Sequence, residues 1–428
     1  MKREQAPGVC FESSRRDTFG SSNDLLMRTC VVGAGVMGTG IAYTCAAHGL
    51  PVRVKDVRPA ALQQSMREVE RLLARYTDSE RANSIRSAIH TQLDYQGFEH
   101  ANVVIEAVVD NLGLKNKVLG EIEGLLAEDA VLLSNTSSLR IDDLATALQR
   151  PENFAGMHFF NPAPAMPLVE VIRGRSSSDY AVQTAVNQAL AMGKTPIVVR
   201  DGPGFLVNRI LMAYIHAFLR LLADGVDYER IDRVAEAFGW PMGPAYLEDV
   251  VGLDIGTSSC DLIFASYPER MPPIERNAFR VLLAAGIYGQ KRGAGFYLHP
   301  LEHHSRAARK SNPLARQLLR EQLSGTARQL HDTQIIDRLM LPMIVESVHA
   351  LQESVVDSAA ELDRALALGI GFPPRHAGIL RYADDLGLRE VQARCERYMG
   401  LGEAYRPPPM LVDLASGNGR FYPRDDVH

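Results

Sequence analysis

The stretch Thr29-Cys30-Val31-Val32-Gly33-Ala34-Gly35-Val36-Met37-Gly38 decides the fold. Its first four residues are short, apolar and partly β-branched, as a buried parallel strand should be. Three glycines follow in the pattern Gly-x-Gly-x-x-Gly, and a small-residue segment from Thr39 to His48 reads as a helix. Gly33 permits the tight turn, Gly35 lets a pyrophosphate approach the backbone, and Gly38 lets the helix pack closely on the strand. Val36 and Met37, between the second and third glycines, are counted with the cofactor-binding turn, and the helix N-terminus offers free N–H groups and a positive dipole end to phosphates. Pro51 to Asp56 reads as the next strand and closes on an acid. The Asp56 carboxylate can accept hydrogen bonds from a ribose diol and would repel a 2′-phosphate. NAD is therefore favoured over NADP, with Arg58 softening the preference. FAD is the other candidate, and a ligand-free glycine turn is the bland one, which the full strand–turn–helix–strand–acid context opposes.

Outward from this unit, residues 60–90 carry Leu62, Met66, Val69, Leu72 and Leu73 at helical spacing. Asn102 to Ala107 and Ala130 to Asn135 are further apolar strands. Alternation of this kind implies an α/β Rossmann-type doubly wound sheet, assigned here to residues 27–202. After Gly204 the strand signal fades and helical periodicity takes over, giving an all-α domain over 203–298. Residues 299–335, rich in His, Arg and Ser, read as a connector.

The last third, 336–428, then repeats the second. Asn208-Arg209 matches Asp337-Arg338, Ile231-Asp232-Arg233 matches Leu362-Asp363-Arg364, and Gly239-Trp240-Pro241 matches Gly371-Phe372-Pro373. The offset stays between 129 and 132 residues, which points to two duplicated all-α helical domains.

Composition bounds the function. The chain has 428 residues, 46% hydrophobic and 23% charged, as in ordinary globular proteins. Its net charge of −5 argues against nucleic-acid and membrane-surface partners, which want a basic field. Cys10, Cys30, Cys45, Cys260 and Cys395 are scattered without pairing pattern, which fits a reducing compartment and calls for no metal. No apolar run is long enough to span a bilayer. Residues 1–26 are polar and read as a flexible tail. Glu4, Glu12 and Asp17 weaken the alternative of an organellar transit peptide, so a cytoplasmic, bacterial cytosolic location is expected over an organellar matrix.

The most informative chemistry lies at Gly156-Met157-His158-Phe159-Phe160-Asn161-Pro162. A second short strand, Pro167-Leu168-Val169-Glu170-Val171-Ile172, carries a carboxylate in an apolar run. Two adjacent strands joined by a turn would bring His158 and Glu170 together. A carboxylate fixes the histidine tautomer and stabilises the imidazolium, which suits a general base taking a hydroxyl proton during hydride transfer. On these residues alone, a structural His–acid hydrogen bond is the stronger reading.

At this point the sequence resembles the L-3-hydroxyacyl-CoA dehydrogenases of fatty-acid β-oxidation. The segments GAGVMG (33–38), NTSSL (135–139), GMHFFNP (156–162), PLVEVI (167–172), DGPGFLVNR (201–209) and GAGFY (293–297) stand in family order. The second helical repeat, with Gly371-Phe372-Pro373-Pro374 and Leu380-Arg381-Tyr382, resembles the multifunctional β-oxidation enzymes without their hydratase domain. The resemblance implies NAD-dependent oxidation of a 3-hydroxyacyl thioester to the 3-ketoacyl form. It makes His158 the catalytic base and Glu170 its orienting partner. It gives Ser137 and Asn208 to the substrate oxygens, and Val109, Asp110, Lys115, Asn135, Asn161 and Lys291 to the cofactor. Bland alternatives are helix capping for Ser137, a helix-start hydrogen bond for Asn208, and a solvated face for Lys115.

The helical stretch after Asp56 is shorter than in typical relatives and carries Arg67, Arg71, Arg75, Arg81 and Arg86 in place of lysines. In the family this hairpin helps bind coenzyme A. Arginines can hold phosphates through forked donors, yet a carrier-protein thioester stays open as a substrate. A fused second module could take the place of a dimer partner, giving a monomer or an unusual homodimer. A separate enoyl-CoA hydratase or thiolase is a candidate partner. A small free hydroxy acid is the second substrate class, opposed by Phe159-Phe160, and a non-catalytic NAD-binding scaffold is the third reading.

Overall fold

The computed structural model describes residues 28–299, 309–323 and 329–423. The expected tail lies outside these residues. The chain begins with β1 (Thr29–Val32), α1 (Val36–Ala47), β2 (Val52–Lys55), α2 (Pro59–Leu73), α3 (Ser79–Ser87), β3 (Ile89–Gln92), β4 (Val103–Glu106) and α4 (Leu112–Glu123). It continues through β5 (Val131–Ser134), α5 (Ile141–Ala145), β6 (Phe154–Phe159), β7 (Leu168–Arg173), α6 (Asp179–Ala191) and β8 (Thr195–Arg200). These eight strands form one sheet in the order β3-β2-β1-β4-β5-β6-β7-β8. The first six run parallel; β7 reverses against β6, and β8 follows β7. Strand order reverses between β1 and β4, so the crevice beyond their carboxyl ends is the binding position of such sheets.

Alternation along the buried strands divides the sheet's two cores. Cys30 and Val32 face the core shared with the helical part, whereas Val31 faces the core under α1, α2 and α6. The helical expectation for 60–90 resolves into two helices and a strand. Asp78 accepts hydrogen bonds from the Glu80 and Arg81 backbones and starts α3 anew. Ile89-His90-Thr91-Gln92 pairs with β2 but is mostly open to solvent, so it lacks a buried strand's apolar signature.

The helical part comprises α7 (Val207–Ala223), α8 (Tyr228–Phe238), α9 (Pro244–Val251), α10 (Leu253–Ser266) and α11 (Ala278–Ala284). Next come β9 (Tyr297–Leu298), β10 (Lys310–Ser311), α12 (Pro313–Leu323) and α13 (Asp332–Gln352). The chain ends with α14 (Ala359–Ile370), α15 (Ile379–Leu386), α16 (Leu388–Tyr398) and α17 (Pro409–Ser416). The expected connector is thus partly ordered structure. β10 pairs with β9, and α12 buries Ala315, Leu319 and Leu323 at helical spacing beside α11.

The repeat extends to hydrogen bonds. Asp232 accepts from the Ala245 and Tyr246 backbones and from the Tyr297 hydroxyl. Asp363 does the same with Leu380, Arg381 and Tyr422. Asp249 holds the backbones of Phe296 and Tyr297, and Asp384 those of Phe421 and Tyr422. Helices α7 and α13 pack on each other and exchange arginines. Arg209 donates to Glu346 at 2.6 Å and to Glu353 at 2.7 Å, while Arg338 reaches Asp224 at 2.8 Å. Each module reaches into the other through the same position, the reciprocity of a two-fold interface. Burial would raise the Glu346 carboxyl, but Arg209 and Arg270 outweigh it and hold the group below its ordinary range.

Candidate active site

At the end of β1, Gly33 takes φ +106°, and a Cβ there would lie 2.6 Å from the Ala107 carbonyl oxygen at the end of β4. At Gly38 a Cβ would stand 1.9 Å from the Gly33 carbonyl oxygen. Both glycines are therefore required by close backbone approach. Gly35 differs, because a Cβ there would meet nothing within 4 Å. It caps α1 without a side-chain hydrogen bond, and Val36 beside it is 77% exposed. Met37 is partly buried against the core under α1. An open backbone cradle at an uncapped helix N-terminus fits a dinucleotide pyrophosphate. Asp56, just past β2, accepts from the Ala34 backbone at 2.9 Å and the Arg58 backbone at 2.9 Å. It thereby ties the glycine loop to the end of β2.

Across the crevice, Glu106 is the hub of a buried network that sequence reasoning missed. It accepts from Lys115 Nζ at 2.8 Å, Ser134 Oγ at 2.7 Å and the Val108 backbone at 2.6 Å. Lys115 is fully buried, with Asp110 at 3.3 Å and the Val108 carbonyl at 3.1 Å as further acceptors. The Lys115 ammonium is thus held inside the network, and the solvated-face alternative fails. The signal was the acid ending the apolar run Val103-Val104-Ile105-Glu106. Asp110 in turn accepts from the Ser137 backbone and hydroxyl and from the Ser138 hydroxyl, at 3.0–3.1 Å. Burial would raise the Asp110 carboxyl, but Lys115 and these donors outweigh it and lower it. Val109 projects into solvent at the crevice mouth.

Ser137 is exposed beyond the end of β5, next to the strand that carries His158. It caps no helix. The N-terminus of α5 is instead held by Asp201, which accepts from the Ile141 and Asp142 backbones. Asn135 accepts from the Phe159 backbone at 2.9 Å, tying the ends of β5 and β6 together. Asn161 stands exposed just past β6, at a cis bond to Pro162.

His158 and Glu170 are direct partners in the antiparallel register of β6 and β7. His158 Nδ1 lies 2.8 Å from Glu170 Oε2, with Glu170 wholly buried and His158 nearly so. The other Glu170 oxygen accepts from the Leu206 and Val207 backbones at 3.2 and 3.0 Å. One carboxylate thus orients the imidazole and caps the positive end of α7, an arrangement worth roughly 0.5–2 kcal/mol. Phe160 and Phe205 flank the imidazole at centroid distances of 4.6 and 5.6 Å. Phe205 holds φ +50°, a non-glycine residue in left-handed conformation beside the site. With Glu170 ionised, Nδ1 carries the proton and Nε2 is left as the acceptor.

Asn208 follows in the first turn of α7, half-buried, and its amide makes no hydrogen bond among the described residues. The helix-start alternative therefore fails. Lys291 pairs with Asp254 within the first helical module.

Comparison with known proteins agrees with this architecture. Residues 28–202 match the sequence model of the 3-hydroxyacyl-CoA dehydrogenase NAD binding domain. Residues 204–299 and 335–420 match that of the 3-hydroxyacyl-CoA dehydrogenase C-terminal domain. The fatty acid oxidation complex subunit alpha of Acinetobacter baumannii is 44% identical over 400 residues, covering 92% of this chain. The chain spans about 56% of the length of that relative. The 3-hydroxybutyryl-CoA dehydrogenase of Escherichia coli K12 superposes with a TM-score of 0.79 at 26% identity, covering 92% of this chain and 99% of that one. The (S)-3-hydroxybutyryl-CoA dehydrogenase of Ralstonia eutropha gives 0.60 at 36% identity, covering 64% and 99%. Among the described residues, no helix is long and apolar enough to cross a membrane. The chain belongs to the 3-hydroxyacyl-CoA dehydrogenase family of NAD-dependent oxidoreductases, with an NAD-binding α/β domain followed by two copies of the family's C-terminal domain.

Proposed function

We propose that the protein oxidises an (S)-3-hydroxyacyl thioester, a coenzyme A ester first of all, to the 3-ketoacyl thioester in fatty-acid oxidation. The observation that carries this reading is the His158–Glu170 pair set against the free Asn208 amide at the start of α7. Gly33, Gly35, Val36, Met37 and Gly38 would hold the cofactor pyrophosphate and Asp56 its ribose. Val109, Asn135 and Asn161 would border the nicotinamide end, with Asp110 oriented by Lys115. NAD, when bound, supplies the hydride acceptor. His158 Nε2 takes the hydroxyl proton, and Glu170 stabilises the imidazolium that results. Asn208 donates to the substrate's C3 oxygen and Ser137 does so on turning its single proton from Asp110 to the substrate, so that negative charge there is stabilised in the transition state. Phe160 and Phe205 exclude water from the imidazole.

NADH consumption with acetoacetyl-CoA and with a longer 3-ketoacyl-CoA tests the reading. His158→Ala should lower kcat by about 10²–10⁴-fold while NADH binding persists. Turnover unaffected by the substitution would refute the assignment.

One observation favours a carrier-protein thioester as a second reading. The arginines after Asp56 are largely engaged within the α/β domain: Arg67 on Gln64, Arg71 on Glu68, Arg86 on Glu70, and Arg81 on the Ala47 carbonyl. Only Arg75 among them makes no hydrogen bond or ion pair with the described residues. Turnover of a pantetheine thioester as efficient as that of the coenzyme A ester would favour the carrier. The reciprocal α7–α13 pairing supports a working monomer, and the relatives' description as subunits of a fatty acid oxidation complex supports a hydratase or thiolase as partner.

A further inference from the structure

Gly369 lies in the last turn of α14, in the second helical module, about 200 positions from the catalytic hairpin in sequence. A Cβ at this position would stand 2.8 Å from Leu168 Cδ2, 3.2 Å from Val207 Cγ1 and 3.5 Å from Phe160 Cε1. Each of these neighbours supports the His158–Glu170 pair. Leu168 begins β7, on the same face as Glu170 and two residues before it. The Val207 backbone donates to Glu170, and the Phe160 ring packs on the imidazole. The module is fixed against the same domain at a second point, where the Arg200 backbone donates to the Val355 carbonyl at 2.8 Å. Gly369 does not have a positive φ. Backbone conformation therefore does not call for glycine in this helix, where glycine is unfavourable, and the close approach does. At the corresponding end of α8, where no α/β domain docks, Ala237 and Phe238 occupy the equivalent places and line an open cleft with Ile336 and Asp337.

We propose that Gly369 is a positioning residue for the catalytic pair. Its missing side chain lets α14 seat against Leu168, Val207 and Phe160, so that the second helical module sets the geometry of His158 and Glu170. Substitution displaces Leu168 and Val207, whose backbone donates to Glu170, and the carboxylate that orients the imidazole moves with them. The kinetic consequence rests on the dehydrogenase reading; the structural one does not.

The test uses the full chain with Gly369→Val, the exposed-face control Ala367→Val, Leu168→Ala, and the double variant Gly369→Val/Leu168→Ala. Both valines carry the same β-branched penalty in one helix. Gly369→Val should lower kcat for acetoacetyl-CoA reduction about tenfold or more, with KM values for NADH and acetoacetyl-CoA within about threefold. Ala367→Val should match wild type. The double variant should return to within about threefold of Leu168→Ala, because the atom that the new side chain meets is gone. In protein labelled with ¹⁵N-histidine, the His158 titration should shift in Gly369→Val and revert in the double variant. A folded Gly369→Val protein with the kcat and His158 titration of Ala367→Val overturns the proposal. So does a loss that the double variant leaves in place. If wild type reduces neither acetoacetyl-CoA nor a pantetheine thioester, the dehydrogenase reading fails, and the His158 titration still decides the role of Gly369.

Discussion

Asn208 in α7 and Asp337 in α13 occupy the same place in the two helical modules, yet only Asp337 has its side chain tied to neighbours among the described residues. Asn208 leaves its amide free next to the helix end capped by Glu170. Asp337 is held by Arg394 at 3.0 Å, with the Tyr398 hydroxyl at 3.5 Å. The carboxylates that staple each module, Asp232 with Asp249 and Asp363 with Asp384, are repeated with their partners. The duplicate keeps what holds the helices together and has an anchored carboxylate where the first module has an unpaired amide. The first module also buries groups that ionise. His216 and Glu248 stand where the second module has Val345 and Ala383.

The largest effect should come from cutting the exchange between modules. Arg209→Met leaves Glu346 buried with only Arg270 to pair it, and should cost about 3–5 kcal/mol in denaturant unfolding. Arg338→Met should cost less, because the Asp224 side chain is 26% exposed and can rehydrate. Equal losses would extend the symmetry from geometry to energetics.

Next, Asn208→Ala should lower kcat/KM about 100-fold, the scale of a lost oxyanion donor. Asp337→Ala should change kcat/KM less than about twofold. A matching loss at Asp337 would break the distinction between working and scaffolding modules.

The smallest effect is a pH dependence. Glu248 is fully buried beside Asp249, one of its oxygens has no partner, and burial first and then the Asp249 charge push it up to about 8. The folded protein keeps a proton that the unfolded chain releases near the ordinary glutamate value of 4.5. The resulting stability is complete below that value and is lost as pH rises through about 8. Burial lowers His216 to about 4, so its contribution appears on acidification and stays out of a scan from pH 7 to 9. Over that range the wild-type Tm should fall relative to Glu248→Gln, by about 3 °C for each kcal/mol. Ala383→Glu should transfer the same slope to the second module.

The glycine turn, the flanking strands and the duplicated landmarks were legible because each is local in sequence. β3 was not, since a polar, half-exposed edge strand carries no apolar alternation. The helix α12 was hidden by the His-, Arg- and Ser-rich composition around it. In the site, an acid within the apolar β7 run marked Glu170 for pairing with His158. The environment of Lys115 could not be read, because Glu106 and Asp110 enclose it only once β4 and α4 have folded together. Phe205 and Gly369 were invisible for the same reason: one matters through its backbone angle, the other through what it lacks.

The arginines exchanged between α7 and α13 belong to one polypeptide, so their association is intramolecular. A two-chain version of this interface would loosen as protein concentration fell. Here the intervening segment keeps each half at an effective concentration on the order of millimolar. Dilution to nanomolar levels should therefore leave the hairpin of His158 and Glu170, which leans on α14, as well supported as in a concentrated solution.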